Sequence, residues 1–396
     1  MPEIRLKPRR EKPVLQRHPW IFSGAIESVR GTPESGETID ILTSGGEWLA
    51  RGAYSPLSQI RVRIWTWRET ETVDEAFIAR RTRRAIASRS ALAEDPEITA
   101  YREVFSESDG IPGLVVDRYG DFRVAQFLTV GAERWRHAIV GALLEDAGCR
   151  GLYERSDGDT RALEGLPSRT GRIQGVEPER PIEIRENGLK FAVDIAQGQK
   201  TGFYLDQREN RVRFKSLARA GELLDCFSYT GAFTVSGLSG GVDRVLAIES
   251  SAQAVEAARG NVVLNGFGDG RCEWIVGDVF VELRRLRDAG RHFDMIAVDP
   301  PRFAPTSSHV PKAARGYKDV NMLAFKLLRP GGLLFTFSCS GGVGPELFQK
   351  IIADAALDAG VEANVIEWLG QPADHPVALA FPEGRYLKGL AIRVGE

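Results

Sequence analysis

The spacing of apolar residues changes character along the chain and divides it into regions. Between residues 14 and 70, apolar and polar positions alternate over short runs, as in Glu37–Leu42 (ETIDIL) and Gln59–Trp67 (QIRVRIWTW). Glycines at Gly31, Gly36, Gly45, Gly46 and Gly52 break these runs. Period-two alternation punctuated by glycine predicts short strands joined by turns. Residues 73–91 switch to helical spacing, with Phe77, Ile78, Ala85 and Ile86 on one side and Arg80, Arg81, Arg83, Arg84 and Arg89 crowding the segment. Strand patterning returns over 100–130, with a turn at DGIPG (109–113) and a hairpin turn expected within RYGDF (118–122). A helix is expected over 133–148, and short strands with polar loops over 151–185. From about residue 186, buried strands alternate with helices, which predicts a parallel sheet with helices on both faces. No internal repeat is visible. The expected fold class is therefore α/β in the C-terminal half, behind a small β-rich region (1–70) and a middle α/β region (71–185), with the sheet domain at 186–396.

Length agrees with this division, because 396 residues exceed one ordinary core. The opening MPEIRLKPRREKP is polar and no apolar run follows it. No signal peptide and no membrane span are expected, and a soluble cytoplasmic protein is. Cys149, Cys226, Cys272 and Cys339 contain no CxxC pair, so neither zinc nor a disulfide framework is expected. Net charge is −2, but residues 1–90 carry 16 Lys and Arg against 11 Asp and Glu. That +5 leaves −7 for the remainder. A basic front half suits contact with a polyanion; arginines kept for solubility explain it equally well.

Candidate chemistry begins at Glu222. ELLDCFSYTGAF reads as a buried strand ending in Asp225, followed by a loop carrying Gly231 and then a helix. About 20 residues later, VDRVLAIES reads as a second strand ending in Glu249. An acid at that point of a doubly wound sheet accepts hydrogen bonds from ribose hydroxyls. The loop lacks GxGxxG, the fingerprint a pyrophosphate needs at a bare helix N-terminus. S-adenosylmethionine (SAM) carries ribose and adenine but no phosphate, and fits better. CEWIVGDVF then gives a strand ending near Asp278, an acid suited to the adenine amine. HFDMIAVDPPRF ends in Asp299, Pro300 and Pro301, and LLFTFSCSGG ends in Ser338, Cys339 and Ser340.

The succession DCFSYTGAF, AIES, GDVF, DPPRF and SCS resembles the class I SAM-dependent methyltransferases. AQGQKTGFYLDQRENR (196–211), together with HPWIF (18–22), ESDGIPGLVVDRYG (107–120), RSDGDTRALEGL (155–166), GQPADHP (370–376) and YLKGLAI (386–392), is similar to the PUA-domain ribosomal RNA large-subunit methyltransferases that make 5-methylcytosine. The resemblance spans essentially the whole chain. It implies a PUA-like RNA-binding β-barrel at 1–70, a middle α+β domain at 71–185 and a Rossmann-like methyltransferase domain at 186–396. For the cofactor it implies Asp225, Phe227, Ser228, Tyr229, Thr230 and Gly231 at the methionine moiety and Glu249, followed by Ser250 and Ser251, at the ribose. It places Asp278 at the adenine, and Gln199, Lys200, Thr201 and Gly202 against the cofactor. Asp299 and Pro300, with Pro301, would lie between cofactor and target base, and Cys339 would be the catalytic nucleophile.

A thiol fits that chemistry. Carbon 5 of cytosine is a poor nucleophile until a thiolate adds at carbon 6, which is covalent catalysis by an activated nucleophile. Many RNA cytosine-5 enzymes carry a second cysteine after the aspartate; here that position is proline, so Asp299 or a water is the expected proton acceptor. Cys226 is read as packing. The Asp-Pro-Pro pattern also resembles amino-group methyltransferases, which keeps guanine N7 or another base nitrogen open as a target. A small-molecule methyltransferase and a SAM-binding ribosome-assembly factor without turnover are further alternatives. Phe203, Phe303 and Tyr317 are candidates for base stacking. Arg208, Arg211, Arg213, Lys215, Arg302, Lys312, Arg315 and Lys318 are candidate phosphate partners. A homodimer is suggested by relatives of this architecture.

Overall fold

A computed structural model describes residues 1–146, 148–178, 181–303 and 310–395. The chain forms two compact units that are not contiguous in sequence. The first contains 1–184, 193–205 and 373–384, and the second contains 185–192, 206–372 and 385–396.

In the first unit, β1 (Glu3–Leu6), β2 (Trp20–Phe22), β3 (Ile26–Arg30), β4 (Thr38–Leu42), β5 (Trp48–Tyr54) and β6 (Ile60–Thr66) form a sheet in the order β2-β6-β5-β4-β1-β3. The alternation read in ETIDIL places Ile39 and Ile41 in its core beside Ile4, Leu6, Val62 and Ile64. A second sheet contains β7 (Ala100–Phe105), β8 (Leu114–Tyr119), β9 (Phe122–Phe127), β10 (Gly151–Ser156) and β11 (Arg169–Gly175), in the order β11-β10-β9-β8-β7. The helix Glu75–Ala87 buries Phe77, Ile78 and Ala85, and Asp74 caps it by accepting from the Phe77 amide at 2.8 Å. The single helix expected over 133–148 is instead two, Val130–Arg134 and Arg136–Leu143, which meet at Trp135. A short hairpin follows, β12 (Ile182–Glu186) with β13 (Leu189–Val193).

The second unit is built on β14 (Glu222–Cys226), β15 (Arg244–Glu249), β16 (Cys272–Val276), β17 (Phe293–Val298), β18 (Leu328–Ser338), β19 (Ala363–Gly370) and β20 (Lys388–Val394). Their order is β16-β15-β14-β17-β18-β20-β19. The first five run parallel; β20 is antiparallel to both β18 and β19. Leu224, Ile248, Ile296, Val298 and Leu334 are nearly or fully buried, as central parallel strands require. The chain order reverses between β14 and β17, so the crevice for a ligand lies outside their C-terminal ends. Asp225 and Asp299 stand there. Among the described residues, no helix is long and apolar enough to cross a membrane.

Candidate functional site

The loop after β14 is held in a conformation that costs backbone strain. Phe227 and Tyr229 adopt positive φ of 61° and 46°, which side-chain-bearing residues rarely do. Gly231 follows at φ 77°, and a Cβ there would stand 2.9 Å from the Ala258 Cβ. The loop is tied on both sides. Ser228 donates its amide to the Ile248 carbonyl at 3.2 Å, and Asn261 Nδ2 donates to the Thr230 carbonyl at 2.9 Å. Glu249 is buried and organises the crevice from β15. It accepts from the Tyr229 amide (3.0 Å), the Ser251 amide (2.9 Å) and the Ser250 hydroxyl (3.0 Å).

Asp225 is fully buried and accepts from the Thr234 hydroxyl at 2.7 Å. Burial pushes its pKa up to about 7; the Thr234 hydrogen bonds oppose this, and Asp299 and Glu249 add repulsion. The Ser228 and Thr230 hydroxyls are buried without a hydrogen-bond partner. Partnerless buried hydroxyls and two crowded acids fit a polar ligand bearing positive charge and hydroxyls. A phosphate would face carboxylates. SAM, with its sulfonium, ammonium and ribose, meets that donor and acceptor set. Asp278 and Ser251 also have local structural duties. Asp278 caps the helix Val279–Asp288 through the Val281 amide at 3.0 Å, and Ser251 caps Ala252–Leu264.

Asp299 follows β17 with Pro300 buried behind it and Pro301 and Arg302 exposed. Gln207 Nε2 donates to Asp299 Oδ2 at 3.0 Å, and Asn210 Nδ2 donates to Gln207 Oε1 at 2.6 Å. This relay orients the carboxylate. Sequence reading quoted the DQRENR segment but missed Gln207 and Asn210, because nothing local connects them with a residue about 90 positions away.

Cys339 lies just past β18, next to the Asp299 loop, because β17 and β18 pair in parallel with Val298 opposite Thr336. Its neighbours Ser338 and Ser340 are fully buried, whereas Cys339 is partly exposed. Tyr317 pins the turn: the Ser338 hydroxyl donates to Tyr317 Oη at 2.9 Å, and the Tyr317 and Ser340 hydroxyls lie 3.0 Å apart. From β20, Lys388 Nζ donates to the carbonyls of Ser340 and Tyr386, both at 2.7 Å. Burial lowers the Lys388 pKa to about 8; the thiol of Cys339 works against that shift, and Arg302 and Arg385 add to it. Cys226 is wholly buried and its thiol is pushed far up by burial, in keeping with packing. Among the described residues, no group of His, Cys, Asp and Glu is placed to hold a metal.

Gln199, Lys200, Thr201 and Gly202 belong to the first unit. There the motifs that carried the resemblance converge. Thr201 donates to Asp117 Oδ2 at 2.6 Å, and its hydroxyl lies 2.8 Å from that of Tyr119. Arg102 clamps Asp117 bidentately at 2.7 and 2.8 Å. Arg155 donates to the carbonyls of Ile195 and Gly198 at 2.9 and 3.0 Å. Asp374 accepts from the Arg102 amide at 2.9 Å. Tyr204 donates its hydroxyl to Gln199, and Lys200 lies over the Tyr204 ring with Nζ 4.2 Å from its centroid. Asp117, Tyr119 and Arg155 are thus scaffold for residues 194–203.

Several candidate RNA contacts are corrected by burial. Tyr317 and Phe203 are 0% and 2% exposed, so neither offers a stacking face. Phe303 is partly buried and packs on Tyr317 with ring centroids 4.8 Å apart. Arg208 and Arg211 are buried, and Arg211 is held bidentately by Glu186 at 2.6 Å. Arg213 pairs with Glu367 and Lys318 with Asp358. Arg302, Lys312 and Arg315 are exposed. Part of the basic excess of the front half is also internal: Arg63 pairs with Glu164 and Arg89 with Asp109, both guanidiniums buried.

Comparison with known proteins bears on this geometry. The family described as S-adenosylmethionine-dependent methyltransferase matches residues 166–382, and a PUA-like domain matches 4–67. A protein from Shewanella amazonensis called ribosomal RNA large subunit methyltransferase I is 49% identical over 391 residues, covering 99% of both chains. One of the same name from Aeromonas salmonicida is 50% identical over 384 residues, covering 97% of both. Among solved structures, a methyltransferase complexed with SAH (S-adenosylhomocysteine) is similar over 100% of both chains, with TM-score 0.88 at 20% identity, a likeness of fold.

Proposed function

We propose that this chain, which belongs to the S-adenosylmethionine-dependent methyltransferase family, methylates carbon 5 of a cytosine in large-subunit ribosomal RNA through a covalent adduct with Cys339. SAM is its cofactor and, when bound, supplies an electrophilic methyl group. Relatives about half identical over their full length are named for the ribosomal RNA substrate, which is the support for RNA. The observation that carries the nucleophile is the turn itself. Ser338 and Ser340 are locked inward by Tyr317 and Lys388, and Cys339 is the member left partly exposed, at the end of the strand paired with the one that leads to Asp299.

In this reading Glu249 binds the ribose hydroxyls, and Asp225 with residues 227–231 holds the methionine moiety. Ser250, Ser251 and Asp278 border the nucleoside, and Gln199, Lys200, Thr201 and Gly202 are the further cofactor residues that the family resemblance implies. Cys339 adds as thiolate to carbon 6 of the base, which makes carbon 5 nucleophilic. Once carbon 5 is methylated, Asp299, oriented by Gln207, accepts its proton directly or through a water, and the thiolate is expelled. The base must be unpaired or flipped to reach these groups. Residues 1–70 serve as the RNA-binding domain, 71–185 as the middle domain and 186–396 as the methyltransferase domain, in a cytoplasmic enzyme. A second reading rests on the Asp299-Pro300-Pro301 loop with its Gln207 partner, which suits a base nitrogen and gives Cys339 no covalent part.

The test is methyl transfer from SAM to unmodified large-subunit ribosomal RNA, with nucleoside mass spectrometry and a Cys339→Ala control. 5-Methylcytidine that disappears with the alanine is expected. A methylated guanosine or amine made equally well by the variant would overturn the covalent mechanism in favour of the second reading.

A further inference from the structure

A buried amine within reach of the candidate nucleophile has no role in the account above. Lys388 is 4% exposed. It starts β20, directly across from Ser338 in the antiparallel register with β18, so its side chain enters the turn that carries Cys339. Its Nζ is fixed by two carbonyls, Ser340 and Tyr386, at 2.7 Å each. Among the described residues it has no carboxylate partner; the charged and titratable groups it senses are Cys339, Arg302 and Arg385.

This arrangement is expensive if it only ties the turn. Burying an ammonium costs several kcal/mol unless an opposite charge compensates it. A neutral amide donates to two carbonyls without that penalty. The one acid among the groups around Lys388 is the thiol of Cys339. Arg302 reaches the same turn, its guanidinium 3.6 Å from where a Cβ of Gly341 would stand, and Arg385 lies three residues before Lys388. Tyr317, which hydrogen-bonds both serines of the turn, is kept neutral by burial, which pushes its hydroxyl pKa up. Among the described residues, the turn therefore faces cations and a neutral phenol, with the Asp299 carboxyl, on the loop after the paired strand β17, as the acid that works against ionisation of the thiol.

We propose that Lys388 is a positioning residue that acts through Cys339: it anchors the Ser338–Ser340 turn and, as a buried cation beside the thiol, holds Cys339 in the thiolate form before RNA arrives. The inference rests on the nucleophile reading of Cys339 given above. The thiol proton leaves to solvent, and Lys388 keeps its own proton. Cations adjacent to a cysteine lower its pKa and raise the reactive fraction at neutral pH. Above pH about 8 the free amine loses its charge unless the thiolate retains it, so the two groups titrate as a pair.

The experiment is the pH profile of Cys339 alkylation by iodoacetamide in the full-length protein without RNA, with the Cys339→Ala profile subtracted. Wild type should show a midpoint below the ordinary thiol value of about 8.5. Lys388→Gln retains donors for the two carbonyls but removes the charge. It should move the midpoint up by about one unit and slow alkylation at pH 7 by roughly tenfold. Lys388→Arg should stay within roughly threefold of wild type. An ordinary wild-type midpoint overturns the proposal without reference to any variant. So does a Lys388→Gln profile that overlays wild type while SAH binding shows the protein folded. Methyl transfer is read separately. If Cys339→Ala still produces the modified base, the nucleophile reading fails even where the thiol titrates as proposed.

Discussion

The two halves of one sheet edge carry opposite charge. In spatial order, β16, β15, β14 and β17 lead at their C-terminal ends to Asp278, Glu249, Asp225 and Asp299. Crossing to β18 and β20, the same edge presents Cys339 and Lys388, with Arg302 and Arg385 beside them. The acidic half is chemically prepared for a cationic, hydroxyl-rich cofactor. On the proposed reading, the cationic half suits a thiolate at Cys339 and the phosphates around a base. Parallel strands alone would bring only their C-terminal ends here; the antiparallel β20 brings its N-terminal residue, which is how a lysine about 50 residues downstream faces the cysteine turn.

The contrast is broken most strongly at the proposed nucleophile. Cys339→Ala should reduce methyl transfer by about 10³-fold or more, as loss of a covalent nucleophile does, while SAM binding measured by calorimetry stays within about twofold. A parallel loss of SAM binding would show that the halves are not separable.

The next effect is on stability and comes from Asp225. Its native pKa of about 7 lies above the ordinary 3.8. As pH rises from 4 to 7, the unfolded chain releases this proton while the native state keeps it, so stability falls through that window and levels off above it. The size is on the order of 4 kcal/mol. Asp225→Asn should flatten the decline of the thermal midpoint between pH 4 and 8. An unchanged slope would place the acid outside the dry crevice described above.

Glu249→Gln should weaken SAM binding by about 10- to 100-fold, because the hydrogen bonds lost involve a charged group, and it should leave the Cys339 alkylation profile unaltered. A shifted alkylation profile would join what the comparison separates. The smallest change is expected from Tyr317→Phe. It removes the hydroxyl that ties Ser338 and Ser340 and should cost about 1 kcal/mol, read as a lower unfolding midpoint, with Glu249-dependent SAM binding retained.

Legibility in the sequence follows the same division. The acidic half was readable because each acid closes a local strand pattern: LLD, LAIE and AVD are complete within a few residues. Gly231 and the double proline were likewise local. The cationic half was only partly readable. Cys339 stands out in Ser-Cys-Ser, but Lys388 and Tyr317 reach it through strand register and helix packing, which no local pattern encodes. Aromatics and arginines misled for a related reason. Tyr317 and Phe203 look like stacking platforms until their burial is known, and Arg211 looks like a phosphate ligand until Glu186 takes both its nitrogens. The QKTG segment was recognised, but its grip by Asp117, Tyr119 and Arg155 depends on strands 40 to 85 residues earlier in the chain.

The most direct test of the covalent account is to incubate the enzyme and SAM with large-subunit ribosomal RNA containing 5-fluorocytidine. Fluorine at carbon 5 cannot leave as a proton, so an enzyme that adds its thiolate to carbon 6 stays attached after methyl transfer. The account predicts a stable protein–RNA link that peptide mapping places on Cys339. Transfer of the methyl group to this RNA with no protein–RNA link, or a link at another residue, would contradict it.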